Sequence, residues 1–219
     1  RYTLIAKQSV HGFDIIESKD PLKDIVKFVE VDKLETIGFD NQVSFAYYQA
    51  LQAIFEGYTL SPQTNFMEEL RMIKDEKELA TIRKACSISD RAFTDVLDFI
   101  KPGQTTELQV ANFLDFRMRE YGASGISFES IIASGYRSAM PHGVASDKVI
   151  QSGETLTMDF GCYYNHYVSD MTRTIHIGET TDEEREIYDI VLRSNRSLID
   201  ATKAGMTRRD YDKVARDVI

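Results

Sequence analysis

At 219 residues, with 42% hydrophobic and 28% charged side chains, the chain has apolar material for one large or two small domains and needs no metal or disulfide in order to fold. Its formal net charge of −9 repels phosphate backbones and argues against nucleic acid as a partner. No apolar run approaches the ~18 residues of a membrane helix, which argues against a membrane partner.

Along the chain, Tyr2 to Val10 reads as a helix and Phe13 to Glu17 as a short strand. Asp20 is placed to cap a helix from Pro21 to Val29. Thr36 to Phe39 is a strand candidate, and Ser44 to Phe55 is a helix stopped by Gly57. This alternation predicts an α/β domain over residues 1–68. The charged run Glu68 to Glu78 marks a boundary near residues 62–74, with a second domain over 69–219. Asp75 and Glu78 have capping-box spacing for a helix to Ile100, closed by Pro102-Gly103. Thr106 and Gln109 box the next helix, to Tyr121-Gly122. A strand near Phe128 to Ala133, a loop through Pro141-His142-Gly143, and two strands spanning Glu154 to Ile177 follow. Thr181 and Glu184 box a helix ended by Gly205, and a last helix opens near Thr207. The sequence starts at Arg1 and stops inside an amphipathic pattern (Tyr211, Val214, Val218), so it reads as a piece of a longer protein. Cys86 and Cys162 sit in differently patterned segments and read as free thiols suited to a reducing cytoplasm.

A faint repeat relates SDRAFTD at 89–95 to SNRSLID at 194–200. Each precedes a glycine (Gly103, Gly205) and a threonine two residues later (Thr105, Thr207). Chance likeness of two amphipathic helices explains it as well as a duplicated unit does; duplicated halves would face each other around a cleft.

The stretch TMDFGCYYNHYVSDMTRT, Thr157 to Thr174, reads as two strands with a tight turn at Tyr164-Asn165. In that register Tyr163 faces His166 and Cys162 faces Tyr167. Asp159 then falls directly opposite Asp170, with Thr157 opposite Thr172 on the same face. Directly opposed residues have Cβ atoms ~4.5–5.5 Å apart. Two carboxylates so placed repel unless a cation lies between them. The threonine hydroxyls are then candidates to support the carboxylates. Met158, Phe160 and Met171 point to the opposite, apolar face. The plainer reading is a pair of solvated aspartates on a surface hairpin. Among the histidines, His142 sits in a loop where its imidazole can enter a cleft. His166 is a turn residue, and His176 and His11 have no partner spacing.

The segments MDFG (Met158 to Gly161) and SDMTRT (Ser169 to Thr174), preceded by Pro141-His142-Gly143, resemble the creatinase-like "pita-bread" metallopeptidases. That family includes Xaa-Pro aminopeptidases, Xaa-Pro dipeptidases (prolidases) and methionine aminopeptidases. The likeness runs from about Leu70 to the end. Arg1-Tyr2-Thr3 resembles the close of a segment typical of the N-terminal domain of Xaa-Pro peptidases, which methionine aminopeptidases lack.

The resemblance implies an α+β fold: a pita-bread catalytic domain, incomplete at its C-terminus, after part of an α/β N-terminal domain. It implies two divalent metals, manganese by family habit with cobalt or zinc as alternatives, held by two Asp, one His and two Glu. Asp159 matches the bidentate ligand and Asp170 the bridging one. His142 matches a histidine that contacts substrate or the tetrahedral intermediate. The remaining His and two Glu are expected beyond Ile219, so this piece alone is expected to bind metal weakly and to lack peptidase activity. The implied activity is removal of the N-terminal residue from proline-containing peptides by an Xaa-Pro aminopeptidase, with Xaa-Pro dipeptidase as the alternative. A homodimer is expected through the family only. A peptide-binding module that has lost its ligands and a metal-free creatinase-type hydrolase are the rival classes; the paired aspartates argue against both.

Overall fold

The computed structural model describes residues 2–219. Arg1, and with it part of the Arg1-Tyr2-Thr3 likeness, lies outside the described residues. The chain forms two compact units, one ending at Ile73 and one comprising Lys74–Ile219.

The first unit holds α1 (Thr3–Ser9), α2 (Pro21–Val31), β1 (Thr36–Asp40), α3 (Phe45–Ile54), β2 (Thr59–Gln63) and α4 (Phe66–Met72). Asp20 caps α2 by accepting from Lys23 N, and Ser44 caps α3 by accepting from Tyr47 N. These bonds satisfy backbone donors that no intrahelical carbonyl can reach. β1 and β2 run parallel, Thr36 beside Thr59, with α3 as the crossover between them. Val29, Leu51 and Phe55 form the buried centre, with Ile37, Phe39 and Leu60 packed on it. Phe13 to Glu17, expected as a strand, has no strand conformation. A strand needs a ladder partner, and the sheet of this unit pairs only β1 with β2 among the described residues. Conversely, β2 carries Pro62 and little β-branched character, so its strand state comes from pairing rather than propensity. The charged run read as a boundary is partly helical, as α4.

The second unit opens with α5 (Glu76–Phe99) and α6 (Glu107–Glu120), each with the capping box that its sequence spacing requires. The cap of α6 is Thr106; Thr105, the residue in the repeat, instead accepts from Lys101 N. Next come β3 (Gly125–Ile126), β4 (Ile131–Ser134), a 3-10 helix (Gly135–Ala139), β5 (Glu154–Phe160), β6 (Cys162–Tyr164), β7 (Tyr167–Val168) and β8 (Met171–Ile177). α7 (Asp182–Ala201), boxed by Thr181 and Glu184, and α8 (Arg208–Arg216), capped by Thr207, complete the α+β unit. The strand expected at 128–133 forms only from Ile131, as β4, the two-residue β3 lies ahead of it, and the pair expected over 154–177 is four shorter strands. They make two antiparallel three-stranded sheets, β4-β5-β8 and β3-β6-β7.

Burial alternates along β5, with Leu156, Met158 and Phe160 inward and Thr155, Thr157 and Asp159 on the other face. The inward side chains join Ile88, Ala92 and Val96 of α5 and Val110, Leu114 and Met118 of α6 in one core. Each fully buried aliphatic or aromatic side chain contributes about 1.5–3 kcal/mol, so this core holds β5 firmly in place.

The turn of the central hairpin falls on Asn165-His166, with φ of 45° and 69°, and Tyr164 pairs with Tyr167. It was expected one residue earlier, at Tyr164-Asn165. Tight hairpin turns of this type need φ > 0 at both central residues, which Asn and His tolerate better than Tyr. Every cross-strand partner therefore moves by two positions. Asp159 stands opposite Thr172 rather than Asp170, and Thr157 opposite Thr174 rather than Thr172. An even shift leaves each residue on its original face.

Between the two sheets the hairpin strands come very close. A Cβ placed on Gly161 would overlap Ser169 O and crowd Ser127 Oγ. Ser169 N donates to Cys162 O (2.9 Å), and Ser127 N to Gly161 O (3.0 Å). Because the obstacle is backbone, Gly161→Ala is expected to destabilise the protein by at least ~2 kcal/mol, read as a lowered denaturation midpoint in urea.

Candidate metal centre

Asp159 is the outward-facing residue between buried Met158 and Phe160, so the core fixes its backbone. Its Oδ1 is buried and has no hydrogen-bond partner; among the described residues it is the one buried side-chain oxygen or nitrogen in that condition. Asp170 lies just before β8, diagonal to Asp159 across the hairpin. Its chain neighbour Ser169 is tightly held. Ser169 Oγ lies 2.6 Å from Ser89 Oγ on α5 and accepts from Cys162 N (3.0 Å), while Ser169 O accepts from Ser127 Oγ (2.9 Å).

His142 is on the loop between the 3-10 helix and β5. Val144 N donates to His142 O (2.9 Å), and Val144 bridges to Ile131 of β4. Ile131 in turn pairs with Asp159. The loop is thereby set against the strand next to Asp159. His142, Asp159 and Asp170 line one open cleft of roughly 480 Å³, together with Phe128, Glu129, Ile131 and Val144.

No Lys or Arg forms an ion pair with Asp159 or Asp170 among the described residues. Two unpaired carboxylates thus share a cleft, one with an oxygen shut away from water. A buried polar atom without a partner costs about 1–3 kcal/mol, more when charged. A hard divalent cation removes both penalties, and carboxylate oxygens suit such an ion. The residues present therefore fit a cation. They do not complete its shell: no group of three or more His, Cys, Asp and Glu is arranged to hold a metal among the described residues.

The expected threonine support is not formed as drawn. Thr157 Oγ1 lies 3.3 Å from Thr174 Oγ1 and is directed at that partner, as the shifted register requires. Thr172 sits opposite Asp159. The other histidines are elsewhere. His166 is in the turn, His176 Nε2 lies 2.8 Å from Glu179 O, and His11 is exposed in a coil. Both cysteines are free, Cys162 buried and Cys86 exposed. Glu129 was not anticipated as a cleft residue. It precedes β4 in irregular chain, where no periodicity marks which side chains meet the cleft.

Comparison with known proteins places these features in context. Residues 80–219 match metallopeptidase family M24, and residues 1–73 match the creatinase/prolidase N-terminal domain. The uncharacterized peptidase YqhT of Bacillus subtilis is 42% identical over 221 aligned positions, covering 100% of this chain and 62% of that protein. The Xaa-Pro dipeptidase of Pyrococcus furiosus is 38% identical, covering 93% of this chain and 59% of that protein. Among solved structures, an X-Pro aminopeptidase from Thermotoga maritima superimposes with a TM-score of 0.93 at 38% identity, covering 100% of this chain and 62% of that one. An Xaa-Pro dipeptidase from Bacillus anthracis gives 0.92 at 39% identity, with 100% and 61% covered. The chain therefore spans about three-fifths of the length of these relatives.

The charge arrangement has a thermodynamic signature. In the metal-free protein, Asp159→Asn is expected to be neutral or stabilising by up to ~1 kcal/mol, because it relieves like-charge repulsion. If the pair binds a divalent cation, Mn²⁺ used as the probe is expected to raise the melting temperature of the unsubstituted full-length protein and not that of this variant. Paired thermal melts with and without Mn²⁺ check both signs.

Proposed function

Because the chain belongs to metallopeptidase family M24, we propose that it is part of a divalent-metal exopeptidase that releases the N-terminal residue from Xaa-Pro peptides. The observation that carries this reading is the unpartnered Oδ1 of Asp159 in a cleft shared with Asp170 and His142. Asp159 and Asp170 are the metal ligands this chain supplies, and one His and two Glu complete the set beyond Ile219. Two manganese ions are proposed, with cobalt or zinc as substitutes. When bound, the metals supply Lewis acidity and a water acidified to near-neutral pH.

The chain's own residues act around that chemistry. Asp159 and Asp170 hold the cations at a fixed place on a rigid hairpin. His142, which lines the same cleft, offers an imidazole N–H to the oxygen of the peptide carbonyl preceding proline, where negative charge develops. Phe128, Ile131 and Val144 supply apolar walls for the peptide. Thr172, opposite Asp159, is proposed to support that carboxylate; Thr157 is proposed to act only through its partner Thr174.

An Xaa-Pro dipeptidase is supported at least as well, since relatives of similar identity carry both names. Homodimerisation and a cytoplasmic location belong to the same proposal. The first rests on the family likeness and the second on the two free thiols. No helix among the described residues is long and apolar enough to cross a membrane.

With Mn²⁺, the full-length protein is expected to cleave the Xaa-Pro bond and to contain two metals per chain by elemental analysis. Asp170→Ala should lower kcat/KM by ~10²-fold or more, since even residues that only orient ligands cost 10–100-fold. Full activity in that variant would remove Asp170 from the site. Comparing a dipeptide with a longer Xaa-Pro peptide separates dipeptidase from aminopeptidase. A protein without stoichiometric metal would instead be a binding module.

A further inference from the structure

We propose that Glu107 is a positioning residue that holds His142 at the cleft, a role that rests on the reading of His142 given above. Glu107 is the first residue of α6, and its side chain is fully buried at 0% exposure. Its Oε1 accepts from Ser134 N (2.7 Å) and Ser134 Oγ (2.9 Å). Its Oε2 accepts from Arg137 Nε (2.9 Å), Ser146 Oγ (2.7 Å) and Ser146 N (3.2 Å). Five donors thus converge on one carboxylate, and they come from both arms of the His142 loop. Ser134 and Arg137 lie ahead of His142, and Ser146 lies behind it.

The connection continues toward the imidazole's own backbone. Arg137 Nη2 donates to Val144 O (2.6 Å), and Val144 N donates to His142 O (2.9 Å). Backbone bonds reinforce the closure, with Glu107 N donating to Lys148 O (3.0 Å) and Leu108 N to Ser146 O (2.9 Å). Lys148 Nζ donates to Ser134 Oγ (2.8 Å) and pairs with Glu154 (2.7 Å), tying the base of the loop to β5. Because Val144 bridges to Ile131 and Ile131 pairs with Asp159, the same clamp sets His142 in register with the strand of the metal ligand.

A buried ion pair is a poor device for stability alone, because well-packed apolar groups do as well. A fully satisfied polar network does specify one conformation. An exposed loop carrying a histidine that must meet a developing charge needs that specification, because a displacement of about 1 Å costs on the order of 10²-fold in rate.

The test uses the full-length, Mn²⁺-loaded protein and an Xaa-Pro substrate. Glu107→Gln keeps the size of the side chain and removes the charge that holds Arg137. Arg137→Lys, which loses the donor to Val144 O, serves where Glu107→Gln fails to fold. For folded protein with unchanged metal content, either variant is expected to lower kcat about 10- to 100-fold with KM little changed. Combined with His142→Ala, neither should lower kcat beyond His142→Ala alone, because residues acting as a unit are non-additive. In the metal-free protein, the imidazole carbon-bound proton resonance of His142, assigned by its loss in His142→Ala, should shift or broaden in either variant. Wild-type kcat in Glu107→Gln, or losses that multiply fully in the double variant, would overturn the proposal while leaving the metal site intact. Wild-type kcat in His142→Ala would overturn it together with the role given to His142.

Discussion

Two carboxylates share a cleft with no Lys or Arg paired to either among the described residues, and one of their oxygens is cut off from water. The arrangement at Asp159 and Asp170 is the constraint that organises the second unit. Such a pair is unfavourable by itself, through repulsion and through an unmet acceptor. It persists only if the surrounding structure is stiff enough to impose it, and it becomes favourable only when a cation supplies the missing partner. Much of the architecture can be read as meeting the first condition. Met158 and Phe160 bury either side of Asp159, and α5 and α6 cover them. Gly161 lets the two strands approach so closely that no side chain would fit.

Asp159, Asp170 and His142 are held by different means, suited to their neighbourhoods. Asp159 is held by packing, since its strand is central in β4-β5-β8. Asp170 lies at a break between sheets where ladder bonds stop, and hydroxyls do the work there. Ser169, one residue before it, is bonded to Ser89 of α5 and to Cys162, and its carbonyl to Ser127. His142 is itself exposed on a long loop outside the named strands, joined to the sheet nearby by the single Val144–Ile131 bridge. Its arms are gathered by the buried carboxylate of Glu107. Neutral hydroxyl bonds suffice where the backbone is already nearly fixed. A charged, multiply bonded anchor is used where a dozen loop residues must otherwise find one conformation.

How much of this was legible in the sequence depended on the range of the forces involved. Helix starts are local chemistry, and Asp75/Glu78, Thr106/Gln109 and Thr181/Glu184 each form the reciprocal box that their three-residue spacing predicted. The α+β class and the family followed from motifs around Asp159, Asp170 and His142 and agree with the matched family. Pairing was less legible. Phe13 to Glu17 is apolar enough for a strand but lacks a partner, whereas β2 has Pro62 and becomes a strand beside β1. Hairpin register turned on one residue: His166 accepts positive φ more readily than Tyr164, which moved the Asp159 partner from Asp170 to Thr172. Glu107 gave no signal at all, because a glutamate in the first turn of a helix is ordinary, and only the return of the chain at Ser134, Arg137 and Ser146 makes it unusual.

One cation is expected to satisfy Asp159 and Asp170 together. Anomalous diffraction from crystals of the full-length protein soaked in Mn²⁺ tests it most directly. An anomalous peak at metal–oxygen distance, about 2.0–2.2 Å, from Asp159 Oδ1 and with Asp170 in the same coordination shell is the expected result. A map with no peak in that cleft, and with Asp159 Oδ1 instead receiving a hydrogen bond from a protein donor, would contradict it.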